Sequence, residues 1–451
     1  MWLMSSTSKK SDKRGFSRIT GLAALKGRLG NIILNEDNSC IMLTGPPGSG
    51  KRKLANLIAQ AWLCEFPSKN GACEECTSCH HFEQQNHFDY SELKPEDGKR
   101  ITPTDDVRSA LKDLIMFPRL GKYKALVIDA DSLNEQGQNA LLKALEEPLP
   151  HTRFVLTVSD PSRLLLTVRS RVVSLRVDRR SDEEIFRILE EELTSRATGD
   201  DSAEEKSASA IGEDRFDEQE LAAEVRGDDL KESALPTAKN LLSRKETALS
   251  GVETALSRKD LSFYARFSDG IPGRALDLVQ GSWFGELRSG AAEIYFNLDK
   301  SGELDLFTGG NDFFKENKDQ VDTALNIINS LIRDELCLHW GTNDRIVNID
   351  LQDRLQDAYQ RKLAILTKRR ESREKDIGFI RWHDEGTKGF NAEEQELHLR
   401  LTHAAEVVED SREALQRNVN FELTITRLLL QLKYVASGEE LIESRKDEKF
   451  S

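Results

Sequence analysis

Gly45, Pro46, Pro47, Gly48, Ser49, Gly50 and Lys51 follow a short apolar run at 40–44. They lead into a segment whose apolar residues, Leu54, Leu57, Ile58 and Ala61, recur at helical spacing. In that strand–loop–helix setting, successive backbone N–H groups curl round phosphate oxygens at a helix N-terminus, and the lysine reaches the outer phosphates. The pattern is that of a nucleotide-binding loop. The position after the lysine, where a Ser or Thr hydroxyl would bind magnesium, holds Arg52. A guanidinium has no lone pair for a cation and repels it. The second half of such a site is a strand ending in an acid, here Leu126-Val127-Ile128-Asp129. The glutamate that would polarise the attacking water is replaced by Ala130, and Asp131, one residue on, points differently on a strand. Binding of ATP or ADP without turnover is the expectation.

A second constellation is Cys64, Cys73, Cys76 and Cys79, spaced C-x8-C-x2-C-x2-C. Four thiolates so close suit a tetrahedral zinc ion, and they close its coordination shell, leaving no position for a reactive water. A structural zinc clip is expected; His80 and His81 are adjacent substitutes for one thiolate. Cys40 and Cys337 stand apart, Cys40 in an apolar run where a buried thiol is ordinary.

These groups need elements to hold them. The chain has 451 residues, enough for about three domains. Apolar runs at 125–128, 154–158 and 172–175 alternate with helical patterns such as 139–145, which implies a parallel sheet covered on both faces. Beyond Asp178 the pattern is helical, interrupted by an acidic, Ser/Ala/Glu-rich insertion at about 194–259 that buries too little apolar surface to order fully. From Trp283 onward only helices are expected, with a charged elaboration at about 343–394 and a strong final helix over about 411–434. Residues 1–15 are basic and polar, a disordered start without an apolar leader, and no run approaches a bilayer span. A cytoplasmic protein with no membrane contact is expected. The 64 Lys+Arg against 78 Asp+Glu, net -14, argue against a protein that coats nucleic acid by itself. The basic stretch 361–375 is read as a solvated helix face rather than a DNA contact.

Asn139-Ala140-Leu141-Leu142-Lys143-Ala144-Leu145-Glu146-Glu147-Pro148, the strand from Thr152 to Thr157, and Val168-Arg169-Ser170-Arg171-Val172 together identify a likeness. With the cysteine spacing, Phe16-Ser17-Arg18-Ile19-Thr20-Gly21 and Asp105-Asp106-Val107-Arg108, the chain resembles the AAA+ clamp-loader subunits of bacterial DNA polymerase III. The likeness is dense over 15–178 and returns at 270–278 and, faintly, at 412–432. It implies an α/β AAA+ core at 16–178 carrying a zinc module at 64–79, a small helical lid at 179–282, and an all-α collar at 283–451 through which a hetero-pentamer assembles. The partners it implies are other loader subunits and, through the complex, the sliding clamp and primed DNA.

Within the family, the departures at Arg52 and Ala130 resemble the non-hydrolysing delta-prime type, a subunit of the polymerase holoenzyme with no turnover of its own. The alternatives are an active motor subunit or related replication ATPase, and a zinc-clipped scaffold with no nucleotide role. The resemblance also implies that Arg171 is an arginine finger acting in trans on a neighbour's ATP, with Arg169 the nearby alternative, and that Arg274 occupies the place of a nucleotide-sensing arginine. The family's Ser-Arg-Cys motif reads Ser170-Arg171-Val172 here; the arginine is its working part.

Overall fold

The computed structural model describes residues 13–35, 39–96, 98–197, 256–302, 306–376, 391–417 and 419–439. The tail to residue 12, nearly all of the acidic insertion, and 377–390 of the charged one lie outside the described residues. Among the described residues no helix is long and apolar enough to cross a membrane.

Five strands, β1 (Cys40–Thr44), β2 (Tyr90–Leu93), β3 (Lys124–Asp129), β4 (Thr152–Val158) and β5 (Val173–Arg176), form one sheet in the order β2-β3-β4-β1-β5. Every pairing is parallel, with Cys40 opposite Phe154, Leu126 opposite Phe154 and Ile41 opposite Val173. The helix α1 (Ala23–Asn35) precedes the sheet; parallel strands need crossovers, and these carry α2 (Lys51–Leu63), α3 (Thr77–Glu83), α4 (Thr104–Asp113), α5 (Glu135–Glu146) and α6 (Leu166–Arg169). Two cores result, one on each face. Ile41, Leu43, Val127, Val155 and Leu175 meet α1 and α2, while Met42, Leu126, Ile128, Phe154 and Leu156 meet α4 and α5. Alternation along each strand sends successive residues to opposite cores. Strands buried on both faces therefore read as unbroken apolar runs, and β4 is buried throughout.

Three helices follow the sheet in the segment expected to form a lid, and the name is kept for them: α7 (Asp182–Ala197), α8 (Arg258–Phe267) and α9 (Pro272–Gln280). α8 starts at a reciprocal cap: Ser257 Oγ accepts from Asp260 N and the Asp260 carboxylate accepts from Ser257 N. Ile185, Leu189, Leu261, Ala265 and Ala275 form the lid's own small core. Phe263 and Phe267 turn the other way and stack with Phe284, at 6.1 and 5.6 Å between ring centres, joining the lid to the helices that follow.

Those helices are α10 (Ser282–Asn297), α11 (Asn311–Glu316), α12 (Val321–His339), α13 (Gln352–Asp376), α14 (Ala392–Gln416) and α15 (Phe421–Ser437). Two findings differ from the sequence reading. The single helix expected at 411–434 is two, because Asn420 caps a new helix by accepting from Leu423 N, which leaves Val419 and Leu423 exposed at the joint. The charged stretch contains a core helix: Leu355, Ala358, Tyr359 and Leu366 of α13 are buried in the bundle at helical spacing, masked in the sequence by the charges between them.

Lys362 of α13 is buried too, and its Nζ donates to both Glu335 oxygens at 2.8 and 2.7 Å and to the Tyr295 hydroxyl at 3.2 Å. Removing one partner strands the other charge in an apolar core, so Lys362→Ala should destabilise the bundle by about 3–5 kcal/mol. The paired replacement Lys362→Met with Glu335→Leu should cost far less. Denaturant unfolding of the two variants checks this, and equal losses would contradict it.

Candidate functional site

The loop Gly45–Lys51 leaves the C-terminal end of β1, between the ends of β4 and β5, and runs into α2. That crevice is where open parallel sheets bind ligands. Gly50 caps α2 with φ of 88°, a left-handed conformation that only glycine adopts without strain. Ser49 Oγ is buried and has no hydrogen-bond partner among the described residues, so the pocket retains a polar group for a phosphate oxygen.

Three charged groups of the site, Lys51, Arg52 and Asp131, are engaged within the chain. Lys51 is buried, and its Nζ donates to the carbonyls of Gly45 at 2.7 Å and Pro46 at 3.0 Å and to Ser159 Oγ at 3.1 Å. Burial pushes its pKa down, opposed by the charges of Asp131 and Asp129. Arg52 turns outward, its Nε donating to Glu92 Oε1 at 2.6 Å, and brings no oxygen to the site. Asp129 stands at the end of β3, its pKa raised by burial and by Asp131. Asp131 does not replace the missing glutamate: both of its oxygens accept the Ser159 N–H, at 2.9 and 2.8 Å, which ties the end of β3 to the end of β4.

The lid closes directly on this loop. Gly273 N donates to Gly48 O at 2.9 Å, and the backbones approach so closely that a Cβ on Gly273 would fall 2.8 Å from Gly48 Cα. A side chain at position 273 would push the lid off the loop. Arg274 follows, but its guanidinium turns away over the Phe267 ring, 5.2 Å from its centre. Its pKa is lowered, first by burial, with the charges of Asp269 and Asp322 raising it and those of Arg412 and Arg179 lowering it. The Arg274 backbone thus lies beside Gly48 of the loop, while its guanidinium packs on Phe267.

Arg171 belongs to another face. It follows the single-turn helix α6, which is anchored by buried Val168. Its Nη1 donates to Thr167 O at 2.6 Å and its Nη2 meets Glu146 Oε1, at the end of α5, at 2.6 Å. None of these partners belongs to the chain's own phosphate loop, and about a third of the side chain is exposed. Arg169, two residues back, is exposed.

The four cysteines converge. Cys64 ends α2, Cys73 and Cys76 flank a tight turn with Glu74 at φ of 64°, and Cys79 lies in the first turns of α3. Their Sγ atoms all lie within 4.8 Å of one another, with 4.0 Å for both Cys64–Cys76 and Cys73–Cys79. A tetrahedron with bonds of about 2.3 Å has edges of about 3.8 Å, so the donor set fits a metal ion such as zinc. The Cys73 N–H, 3.2 Å from Cys64 Sγ, supports a thiolate there. Cys64 is drawn down to about 5, first by the hydrogen bond from Cys79, whereas Cys79 is pushed up by that same pairing and by burial. One thiolate thus forms easily and opposes the next; a dication at the centre removes the conflict. His80 and His81 are not part of the cluster.

The cysteine loop also clasps the start of the fold. Phe16 N donates to Asn70 O at 2.7 Å, Gly15 N to a Glu74 carboxylate oxygen at 2.7 Å, and Arg18 reaches the other Glu74 oxygen at 2.8 Å. Asn70 and Glu74, with Ser159 and Glu92, are the residues that sequence reading missed, and the pairings of Glu146 and Gly273 were not foreseen either. All are brought in by tertiary structure, and only the glycine-flanked turn at 270–273 carried a local signal.

Residues 26–181 match the family profile described as DNA polymerase III, delta subunit, about a third of the chain. DNA polymerase III subunit delta' of Pseudomonas aeruginosa is 40% identical over 133 residues, covering 29% of this chain and 40% of that protein. DNA polymerase III subunit gamma of Buchnera aphidicola is 30% identical over 183 residues, covering 40% and 50%. The chain therefore spans half or less of the length of the relatives it matches. Among solved structures, a DNA polymerase III gamma subunit-related protein from Thermotoga maritima aligns over 91% of this chain and 99% of its own, with 17% identity and a TM-score of 0.31.

Proposed function

We propose that this chain is a non-hydrolysing, delta-prime-type AAA+ subunit of a DNA polymerase III clamp loader. In this reading it occupies one place in a hetero-pentameric ring, helps load the sliding clamp onto primed DNA, and offers Arg171 to the ATP held by a neighbour. The similarity of its sheet domain to delta', gamma and tau subunits supports the family-level part.

One observation carries the choice among subunits: Lys51, Arg52 and Asp131 of the chain's own nucleotide site are engaged inside the chain. Lys51 bonds loop carbonyls, Arg52 pairs with Glu92, Asp131 is committed to Ser159, and Gly48 docks the lid. Arg52, the residue after Lys51, carries no hydroxyl to hold magnesium, and Ala130 cannot polarise water. The loop then works as a seat for the lid. Gly45 to Lys51, with Asp129, remain the residues that would cradle a nucleotide, supplying phosphate contacts without hydrolysis. Arg274 joins lid to collar in this reading rather than sensing nucleotide. The four thiolates form a structural zinc clip, and the exposed apolar joint at Val419 and Leu423 lies within the helical region that would meet other subunits.

The test is ATP turnover by the isolated chain and by the chain assembled with gamma-type and delta-type subunits. The isolated chain should show no turnover above blank, and the assembly's turnover should vanish with loss of the partners' phosphate-loop lysine. Steady turnover by the isolated chain, abolished by Lys51→Ala, would instead favour the motor subunit.

A further inference from the structure

Where the sheet domain, the lid and the helical bundle meet, they enclose a cleft of about 630 Å³ lined by Arg179, Arg180, Arg266, Arg333 and Arg345, with Asp182, Asp269 and Asp344. The arginines come from three places in the chain: the segment leaving β5, the end of α8, and α12 with the turn after it. Their partners do not cancel the charge. Arg179 pairs with Asp269, while Arg266 donates to Ile346 O and lies 3.8 Å from Asp182. Arg333 and Arg345 are exposed at the rim, and neither side chain has a hydrogen bond or salt bridge among the described residues.

Arg180 is the informative one. It is 6% exposed, and its Nε and Nη1 donate to the carbonyls of Thr20 at 2.9 Å and Asp178 at 2.7 Å. Glu184 and Asp178 act on it only from beyond salt-bridge distance, and no described carboxylate lies within it. Burying a guanidinium without a contacting anion is costly, and an anion placed beside Arg180 would relieve that cost. Two fixed carbonyl bonds hold the fork still, so little order is lost when an anion arrives. The volume lies in the range of small-ligand sites, yet its walls are charged rather than apolar, which excludes an apolar ligand. Planar guanidinium forks match tetrahedral oxyanions in paired hydrogen bonds.

We propose that this cleft binds a phosphate group, with Arg180 at its base and Arg333 and Arg345 closing over it from α12 and its turn. Because its walls come from all three parts of the fold, a bound phosphate would hold them in one relative position. The inference stands apart from the nucleotide loop and does not depend on the function proposed above.

The test is calorimetric titration of pyrophosphate into the full-length chain at low salt. Saturable binding is expected, weakened at least about tenfold in Arg333→Ala/Arg345→Ala, since each lost guanidinium removes charge-assisted bonds. Both residues are exposed, so an unchanged melting temperature should certify the fold; Arg180→Lys should weaken binding as well. Competition by ADP but not by a primed duplex would assign the phosphate to a free nucleotide, and competition by the duplex to a nucleic-acid backbone; either keeps the site. The proposal is overturned by absence of saturable binding, by affinity unchanged in the double variant, or by binding that persists there and is lost instead in Lys51→Ala.

Discussion

If Arg171 is the finger proposed above, Arg171→Ala in a reconstituted loader should slow ATP turnover at the facing site by roughly a thousandfold or more. Other sites in the ring dilute the loss, so the whole assembly's clamp- and DNA-stimulated rate should fall by at least about tenfold, with binding of ATP retained. The geometry supports a residue made to be presented. Buried Val168 fixes the short helix, Thr167 O accepts one guanidinium nitrogen, and Glu146 holds another from the end of the neighbouring helix. The Glu146 pair is partly exposed and hence weak, so exchanging it for a phosphate oxygen costs little. Arg171→Lys should recover only part of the rate, because an ammonium lacks the planar fork. Arg169→Ala, lacking those anchors, should leave the rate near normal. An unchanged rate in Arg171→Ala, measured beside a partner known to be active, would reduce Arg171 to a surface residue paired with Glu146.

What could be read beforehand was whatever rests on neighbours in the chain. A phosphate loop is a local object, and so are a C-x2-C-x2-C turn and apolar runs long enough for buried strands. Loss of a hydroxyl at Arg52 or a glutamate at Ala130 is visible from residue type alone. Partners are another matter. Ser159 lies 108 residues from Lys51 and Glu92 lies 40 from Arg52, and nothing near either position announces the pairing. The seat of Gly273 on Gly48 depends on two backbones meeting after the lid has folded. The buried face of α13 was hidden for a different reason: Leu355, Tyr359, Lys362 and Leu366 form a narrow stripe, and one of its members is a lysine neutralised by a glutamate from another helix. The break at Asn420 was legible in principle, since asparagine is a strong cap, but the apolar residues on both sides outweighed it.

Loss of the proposed zinc should be the largest perturbation to the sheet domain. As purified, the chain should carry one zinc per molecule, and Cys79→Ser should abolish it. Four thiolates of like charge within 4.8 Å repel one another without a cation, so the metal-free site should relax by taking up protons and opening. What opens is more than a surface loop, because Asn70 and Glu74 hold Gly15, Phe16 and Arg18, and Phe16 is wholly buried against α2. Structural zinc in small modules is worth more than 10 kcal/mol, but a folded sheet domain retains most of its core without it. A loss of about 3–5 kcal/mol is expected, which in a domain of this size lowers the melting temperature by about 10 °C. Chelator at mildly acidic pH should give the same drop, since protonation competes for the thiolates, and readdition of zinc at neutral pH should reverse it. Trypsin should then cut at Arg14 or Arg18, sites that the intact clasp protects. Cys337→Ser, remote from the cluster, should keep its zinc. If the purified chain is metal-free and chelator changes neither melting nor proteolysis, the cysteines hold no ion, and the clasp at Gly15 rests on its hydrogen bonds alone.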